Sequence, residues 1–267
     1  MIKPPELSSA LAIAWSLLIT LGLVSVGILT SLLFGSSNLA LIGGALLEVA
    51  LLVPTARLIG RLYGGGLGPA QSLATGGAPA PELLLGAVLA LLLQGPMGYV
   101  LVLVERRFPT PLPQLEAQLV QLTPGSPLLG ACMFVGVAML VPYAEELFYR
   151  GALFTQLARH SPGFVTVWTT SVAFTLAHVG QPRHWPALFV LALVLGVLRL
   201  QSRSIWPGVA LHGAFNAITL LHVFVERPTE PKVPDVPWPL AAGLGALSVL
   251  GIWLFGRIAA RRLKGGG

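Results

Sequence analysis

Long apolar runs, separated by short polar or Gly/Pro-rich segments, form the dominant pattern along this chain. Apolar windows of roughly 20 residues fit over most of the sequence, and each could cross about 30 Å of hydrocarbon as a helix. We therefore predict an all-α, polytopic integral membrane protein with about eight transmembrane helices. Bounded by Pro, Gly and charged residues, these helices lie at 10–34, 39–62, 82–104, 127–158, 163–179, 186–200, 205–225 and 238–257.

The composition agrees with a membrane protein. Apolar residues make up 55% of the 267 residues, charged residues make up 10%, and the mean hydropathy is +0.81. A soluble domain carries about 25% charged residues. The longest linkers, 63–81, 105–126 and 226–237, are too short for a folded soluble domain. We therefore expect residues 1–267 to form a single membrane domain in contact with membrane lipids.

The net charge of +6 does not indicate a nucleic-acid partner, because the sixteen Lys and Arg lie scattered at the helix ends. Basic residues tend instead to mark the cytoplasmic side of a membrane protein. If the chain crosses the membrane eight times, both termini lie on one side, and ten basic residues fall on that side: Lys3, Arg57, Arg61, Arg159, Arg199, Arg203, Arg257, Arg261, Arg262 and Lys264. Five fall on the other side: Arg106, Arg107, Arg183, Arg227 and Lys232. This asymmetry favours a cell-membrane protein with cytoplasmic termini.

Three ionisable residues lie within the fourth predicted helix, in the segment VPYAEELFYRGALF. Such residues are costly in a membrane unless they are paired or face water, which makes them candidates for function. Glu146 and Arg150 are four residues apart and can pair on one face. Glu145 points about 100° away and lacks that partner, so its carboxylate suits a general base. Alternatively, both carboxylates only hold helices together.

The fifth and seventh predicted helices each add a histidine. If the fourth and fifth form a hairpin turning at 160–162, Glu145 and His178 both lie about 22–24 Å from the turn and can face each other. In the seventh, His212 and Asn216 are one turn apart on one face. A single histidine in an apolar helix is usually a core residue. Three helices that each contribute Glu or His indicate a shared site instead.

Two other polar residues, Glu48 and Gln94, are isolated within their predicted helices. We interpret both as groups that form hydrogen bonds between helices.

Three motifs carry a resemblance to a known family. They are Glu-Glu-x-x-x-Arg at 145–150, Phe-x-x-x-His at 174–178 and His-x-x-x-Asn at 212–216. With their flanks, EELFYRGALF, FTLAH and WPGVALHGAFN, they resemble the CAAX protease and bacteriocin-processing (CPBP) family of intramembrane peptidases. The similarity spans roughly 125–225, which we take as the catalytic helical core. The first three predicted helices and the last carry no such signature.

The resemblance implies an endopeptidase that attacks its substrate with an activated water molecule. By motif, Glu145 and His178 become the pair that activates water, and His212 and Asn216 hold the developing oxyanion. The substrate implied is a peptide or protein that is lipidated or membrane-embedded, since eukaryotic relatives trim prenylated C-terminal tails.

The resemblance also assigns Glu146 and Arg150 to the support of Glu145, but it leaves the role of a metal open. One Glu and two His could bind Zn²⁺ or another divalent metal, with water as the fourth ligand. His-Glu-x-x-His is absent, however, and a metal-free glutamate mechanism needs the same side chains. The single cysteine, Cys132, excludes a cysteine-based metal cluster. The sequence favours a site without a tightly bound metal.

Two other functions stay open. A non-catalytic immunity or adaptor protein could bind a peptide without cleaving it, although mere binding does not need a poised Glu145. A small-solute transporter could use the same Glu and His residues as a relay. The sequence shows no recognisable repeat or pair of broken helices, which argues against a transporter.

Overall fold

The fold is known from a computed structural model that describes residues 5–226 and 236–265. Lys3, Arg227, Lys232 and most of the predicted linker 226–237 lie outside the described residues. Within them there are helices and no strands. The main helices are α1 (Ser9–Phe34), α2 (Asn38–Tyr63), α3 (Ala80–Arg107), α4 (Leu112–Leu122), α5 (Pro127–Leu157), α6 (Gly163–Ala177), α7 (Trp185–Ser202), α8 (Trp206–Glu226) and α9 (Trp238–Gly265).

The prediction of an all-α polytopic membrane protein is confirmed. Seven of the described helices are long and apolar enough to span a membrane, rather than about eight. Of the eight predicted transmembrane helices, the one that is too short is α6, whose 15 residues extend about 22 Å at 1.5 Å per residue. This helix is shorter than predicted because the chain leaves it at His178, whose N–H closes a tight turn onto the Thr175 carbonyl. The short helix carries a functional candidate at its end.

The predicted linkers 105–126 and 63–81 are not wholly irregular. The first contains α4, where Leu112, Leu115, Leu119 and Leu122 recur every three or four residues, the spacing of an amphipathic helix. Asn38 fixes the end of this segment to the start of α2, since its side chain bonds to Gln121, Thr123 and Gly125. The second contains one short helical turn, Pro69–Ser72.

The buried core consists of two clusters that share α7. One cluster lies among α1, α2, α5 and α6 and includes Ala192 of α7. The other lies among α3, α7, α8 and α9. Where α8 meets α5, a Cβ on Gly213 would lie only 2.7 Å from the Ala138 carbonyl oxygen. Glycine therefore permits the close helix contact that brings the α8 histidine towards α5.

Both ends of the described chain lie at the same end of the helix bundle. Glu6 pairs with His160 in the turn before α6, and Gly163 packs against Leu200 near the end of α7. Arg262 of α9 donates to the Ser202 carbonyl, which also lies at the end of α7. The two ends of the described chain thus lie at one end of the helix bundle, and α4 lies at the other.

Candidate active site

The two glutamates lie on an α-helical segment between two π-helical stretches of α5. The segment Val141–Glu146 is flanked by π-helical Phe134–Leu140 and Leu147–Leu153. Single wide turns of this kind inside α-helices occur frequently at functional sites. Glu145 and Glu146 are consecutive in the α-helical segment, so their side chains leave it about 100° apart.

Glu146 and Arg150 form the predicted ion pair, with 3.0 Å between Glu146 Oε1 and Arg150 Nη1. Both side chains are fully buried. Arg150 also donates to the Ala192 carbonyl and lies over the Phe174 ring, 4.7 Å from its centroid. Buried charges are tolerated when they are paired and hydrogen-bonded. The ion pair meets the first condition, while Glu146 Oε2 and Arg150 Nε have no hydrogen-bond partner among the described residues.

Glu145 faces two histidines from two other helices. Its Oε1 lies 3.7 Å from His178 Nε2, and its Oε2 lies 3.6 Å from His212 Nε2. The hairpin of α5 and α6 thus brings Glu145 and His178 together at the depth expected from the sequence. Both distances exceed a direct hydrogen bond, and separations of this size are commonly bridged by water. The arrangement suits a water molecule held between a carboxylate and an imidazole.

His178 is fixed by its position just beyond the end of α6. Its Nδ1 lies 2.9 Å from the Phe174 carbonyl oxygen, and the Nε1–H of Trp185 donates to the backbone carbonyl of His178. A carbonyl oxygen can only accept, so Nδ1 carries the proton and, in the neutral ring, Nε2 is an acceptor. That acceptor faces Glu145, where it can take a hydrogen bond from water.

His212 lies between the two glutamates. Its Nδ1 is 3.5 Å from Glu146 Oε1, while its Nε2 faces Glu145. Glu146, whose cation is Arg150, therefore contacts His212 directly. Gly208, one turn before His212, makes room for this approach, because a Cβ there would lie 2.8 Å from Glu146 Oε2.

Asn216 lines the same cavity one turn further along α8. Its Nδ2 donates to the Val137 carbonyl over 3.0 Å, so the side chain is held by α5. The structure thus brings Glu145, His178 and His212 into one cluster, and places Asn216 beside it.

A cavity of about 1330 Å³ opens onto this cluster. The walls of the cavity are mainly apolar. They include the later halves of α1, α3 and α8, and these halves run towards the end of the helix bundle at which α4 lies. This volume exceeds that of ordinary small-molecule pockets, about 300–1,000 Å³. The cavity is large enough to take a peptide segment and a hydrocarbon chain together.

Two residues of this region have a different role from the one predicted. Arg199 was read as a topology signal, but it is buried and donates to the Arg150 carbonyl and to Thr155 Oγ1. The sequence signal was its spacing of four residues from Leu195, which lies on the fully buried face of α7. Glu48 forms no hydrogen bond among the described residues and instead lines the cavity. Gln94, by contrast, makes the predicted interhelical bond, to the Phe215 carbonyl.

The site does not form a ready metal centre. Glu145, His178 and His212 offer the donor types that Zn²⁺ prefers. Among the residues that the structure describes, however, no group of three or more His, Cys, Asp or Glu is arranged to hold a metal ion.

The segment that holds the site matches a known family. Residues 127–218 match the family model described as Rce1-like, type II CAAX prenyl endopeptidase Rce1-like. This segment contains all three motifs, so the match confirms the resemblance to the CPBP family. It covers about a third of the chain and leaves out α1 to α4, the end of α8, and α9. No curated protein and no solved structure matches the chain.

Proposed function

We propose that this protein is an intramembrane endopeptidase of the CAAX prenyl protease type. The observation that carries the proposal is the position of Glu145, a carboxylate held between two histidines on the wall of a large cavity. An ionisable cluster inside a membrane domain normally indicates function. The family match of the same segment supports proteolysis as that function.

The reaction begins with a water molecule between Glu145 and His178. Glu145 takes one proton from the water, while Nε2 of His178 accepts a hydrogen bond from it. The water oxygen forms a bond to the carbon of the substrate carbonyl, whose oxygen becomes an oxyanion. N–H groups of His212 and Asn216 stabilise that oxyanion.

The second step breaks the peptide bond. The oxyanion re-forms the carbonyl, the C–N bond breaks with its electron pair going to nitrogen, and Glu145 returns its proton to the leaving amine. The products are a new C-terminal carboxylic acid, which loses its remaining water-derived proton to the solvent as it leaves, and a new amine, and Glu145 is ready for another cycle. Glu146 and Arg150 act as positioning residues, since Glu146 contacts His212 and Arg150 lies over the ring of Phe174.

The substrate proposed is a peptide or protein that is lipidated or anchored in the membrane. The mainly apolar walls can exclude water from a hydrocarbon chain, while the polar cluster in the cavity wall meets the peptide. The matched family is described as acting on CAAX prenyl substrates, so a prenylated C-terminal tail is the first substrate to test.

The test is cleavage of membrane-anchored reporter peptides, prenylated and unprenylated, by the purified protein in detergent. We expect the prenylated reporter to be cut, and cutting to persist after treatment with a chelator. Loss on chelation with recovery on adding Zn²⁺ would overturn the metal-free mechanism. Tight binding without any cleavage across lipidated and transmembrane peptides would point to an adaptor, and solute uptake into liposomes would point to a transporter.

We further propose that the protein lies in the cell membrane with both termini in the cytoplasm, as the distribution of basic residues favours. The structure places the described chain ends opposite to α4, so one labelling experiment tests this. In a variant without Cys132, an impermeant thiol reagent applied to intact cells should label Glu116→Cys on α4 but not Pro5→Cys. The reverse pattern would overturn the orientation.

A further inference from the structure

Glu48 is a charged residue in a position where the helix pattern calls for an apolar one. It lies on α2, three residues after Ala45 and four before Leu52, both of which are buried. This face packs against α5: a Cβ on Gly136 would be 3.3 Å from the Ala45 side chain. Glu48 therefore points from the packed face of α2 into the protein interior, where an unpaired carboxylate is costly.

No described residue compensates this carboxylate. Glu48 makes no hydrogen bond or ion pair within residues 5–226 and 236–265, yet it lines the same cavity as Glu145 and His178. Glu48 and Glu145 are the two carboxylates among the described residues that line this cavity. Among the described residues that line the cavity there is no Lys or Arg. The cavity thus presents two carboxylates and lacks a permanent cation.

We propose that Glu48 forms a specificity subsite for a positively charged side chain, lysine or arginine, close to the bond that is cleaved. That this basic side chain belongs to a substrate rests on the proposed function. When a peptide fills the cavity, it displaces the water that solvates Glu48. A neutral peptide leaves the carboxylate buried and unpaired, whereas a basic side chain replaces the water with a charge-assisted hydrogen bond.

The position of Glu48 separates this role from catalysis. Glu48 is supplied by α2, which lies outside the family match, while the candidate catalytic residues all lie within it. Neutralising Glu48 therefore removes a preference for charge and leaves the water-activating cluster in place. The preference concerns residues that lie in the cavity together with the cleaved bond, because Glu48 and Glu145 line the same cavity.

The first test measures binding, so that it does not depend on cleavage. In a Glu145→Gln background, Glu48 is the remaining carboxylate among the described cavity-lining residues. Fluorescent, membrane-anchored peptides that differ only in Lys or Met, placed in turn at each position around the cleaved bond, are titrated against this variant. At one position we expect the Lys peptide to bind at least about tenfold more tightly. Adding Glu48→Gln should bring that ratio close to one.

The second test uses cleavage by the otherwise wild-type protein. Glu48→Gln should lower the ratio of kcat/KM for the Lys peptide to kcat/KM for the Met peptide by about tenfold. Glu116→Gln, which neutralises an exposed carboxylate on α4, should leave the ratio unchanged. An unchanged Lys/Met ratio in Glu48→Gln, or equal binding of both peptides to the Glu145→Gln protein, would overturn the subsite. Failure of the wild-type protein to cleave while the binding preference holds would instead contradict only the proposed function.

Discussion

Replacing Glu145 by glutamine is expected to lower kcat/KM for the reporter peptide by about 10²–10⁴-fold, the usual contribution of a general base. The amide keeps the shape of the side chain but cannot take the proton from water. Folding should be unaffected, because Glu145 has no cation to lose, and its two histidine neighbours lie beyond direct hydrogen-bond distance. Cleavage rates and the thermal unfolding temperature of the same preparations measure both effects.

The matched control for this variant is Glu116→Gln, which makes the same chemical change at an exposed position on α4. It should cleave like the wild type. Substantial cleavage by Glu145→Gln, with normal folding, would show that another group activates the water. A loss of folding in Glu145→Gln would mean that the carboxylate holds helices together, which is the alternative that the sequence left open.

Replacing Arg150 by methionine is expected to lower the free energy of unfolding by about 3–5 kcal/mol, because Glu146 is then buried without its cation. The Ala192 carbonyl also loses its donor. The effect should be large, since both members of the pair are fully buried, in contrast to an ion pair at a surface. Denaturant unfolding in detergent micelles, compared with wild type, measures this difference.

A double variant shows whether the loss comes from the uncompensated charge. Adding Glu146→Gln to Arg150→Met removes the buried charge and should recover at least about half of the lost stability. Arg57→Met, at an exposed position on α2, is the control for removing an arginine and should change stability by less than about 0.5 kcal/mol. A double variant no more stable than Arg150→Met would contradict this explanation.

The helices and the Glu146–Arg150 pair could be predicted because they depend on local patterns. An apolar run of membrane length specifies a helix, and two residues four apart meet on one face whatever surrounds them. The hairpin of α5 and α6 is nearly as local, since one short turn fixes the depths of Glu145 and His178. These features needed no knowledge of the distant parts of the fold.

The contacts that depend on distant packing could not be predicted. Whether His212 faces Glu145, Glu146 or both depends on how closely α8 approaches α5. Gly208 and Gly213 permit a close approach, but their presence in the sequence does not predict it. Arg199 was assigned to a membrane face because basic residues near helix ends usually lie there. Glu48 looked isolated because its neighbours across the cavity are remote in sequence. The full length of α6 was overestimated because nothing in FTLAHVG marks His178 as the point where the chain leaves the helix.

We propose that water, activated at Glu145, hydrolyses a peptide bond inside the cavity. Cleavage of the prenylated reporter in H₂¹⁸O by the purified wild-type protein tests this, with Glu145→Gln in parallel and the products weighed by mass spectrometry. We expect one ¹⁸O in the new C-terminal carboxylate of the wild-type product, and a product yield near background for Glu145→Gln. Equal cleavage by both proteins, or a wild-type product without ¹⁸O, would contradict it.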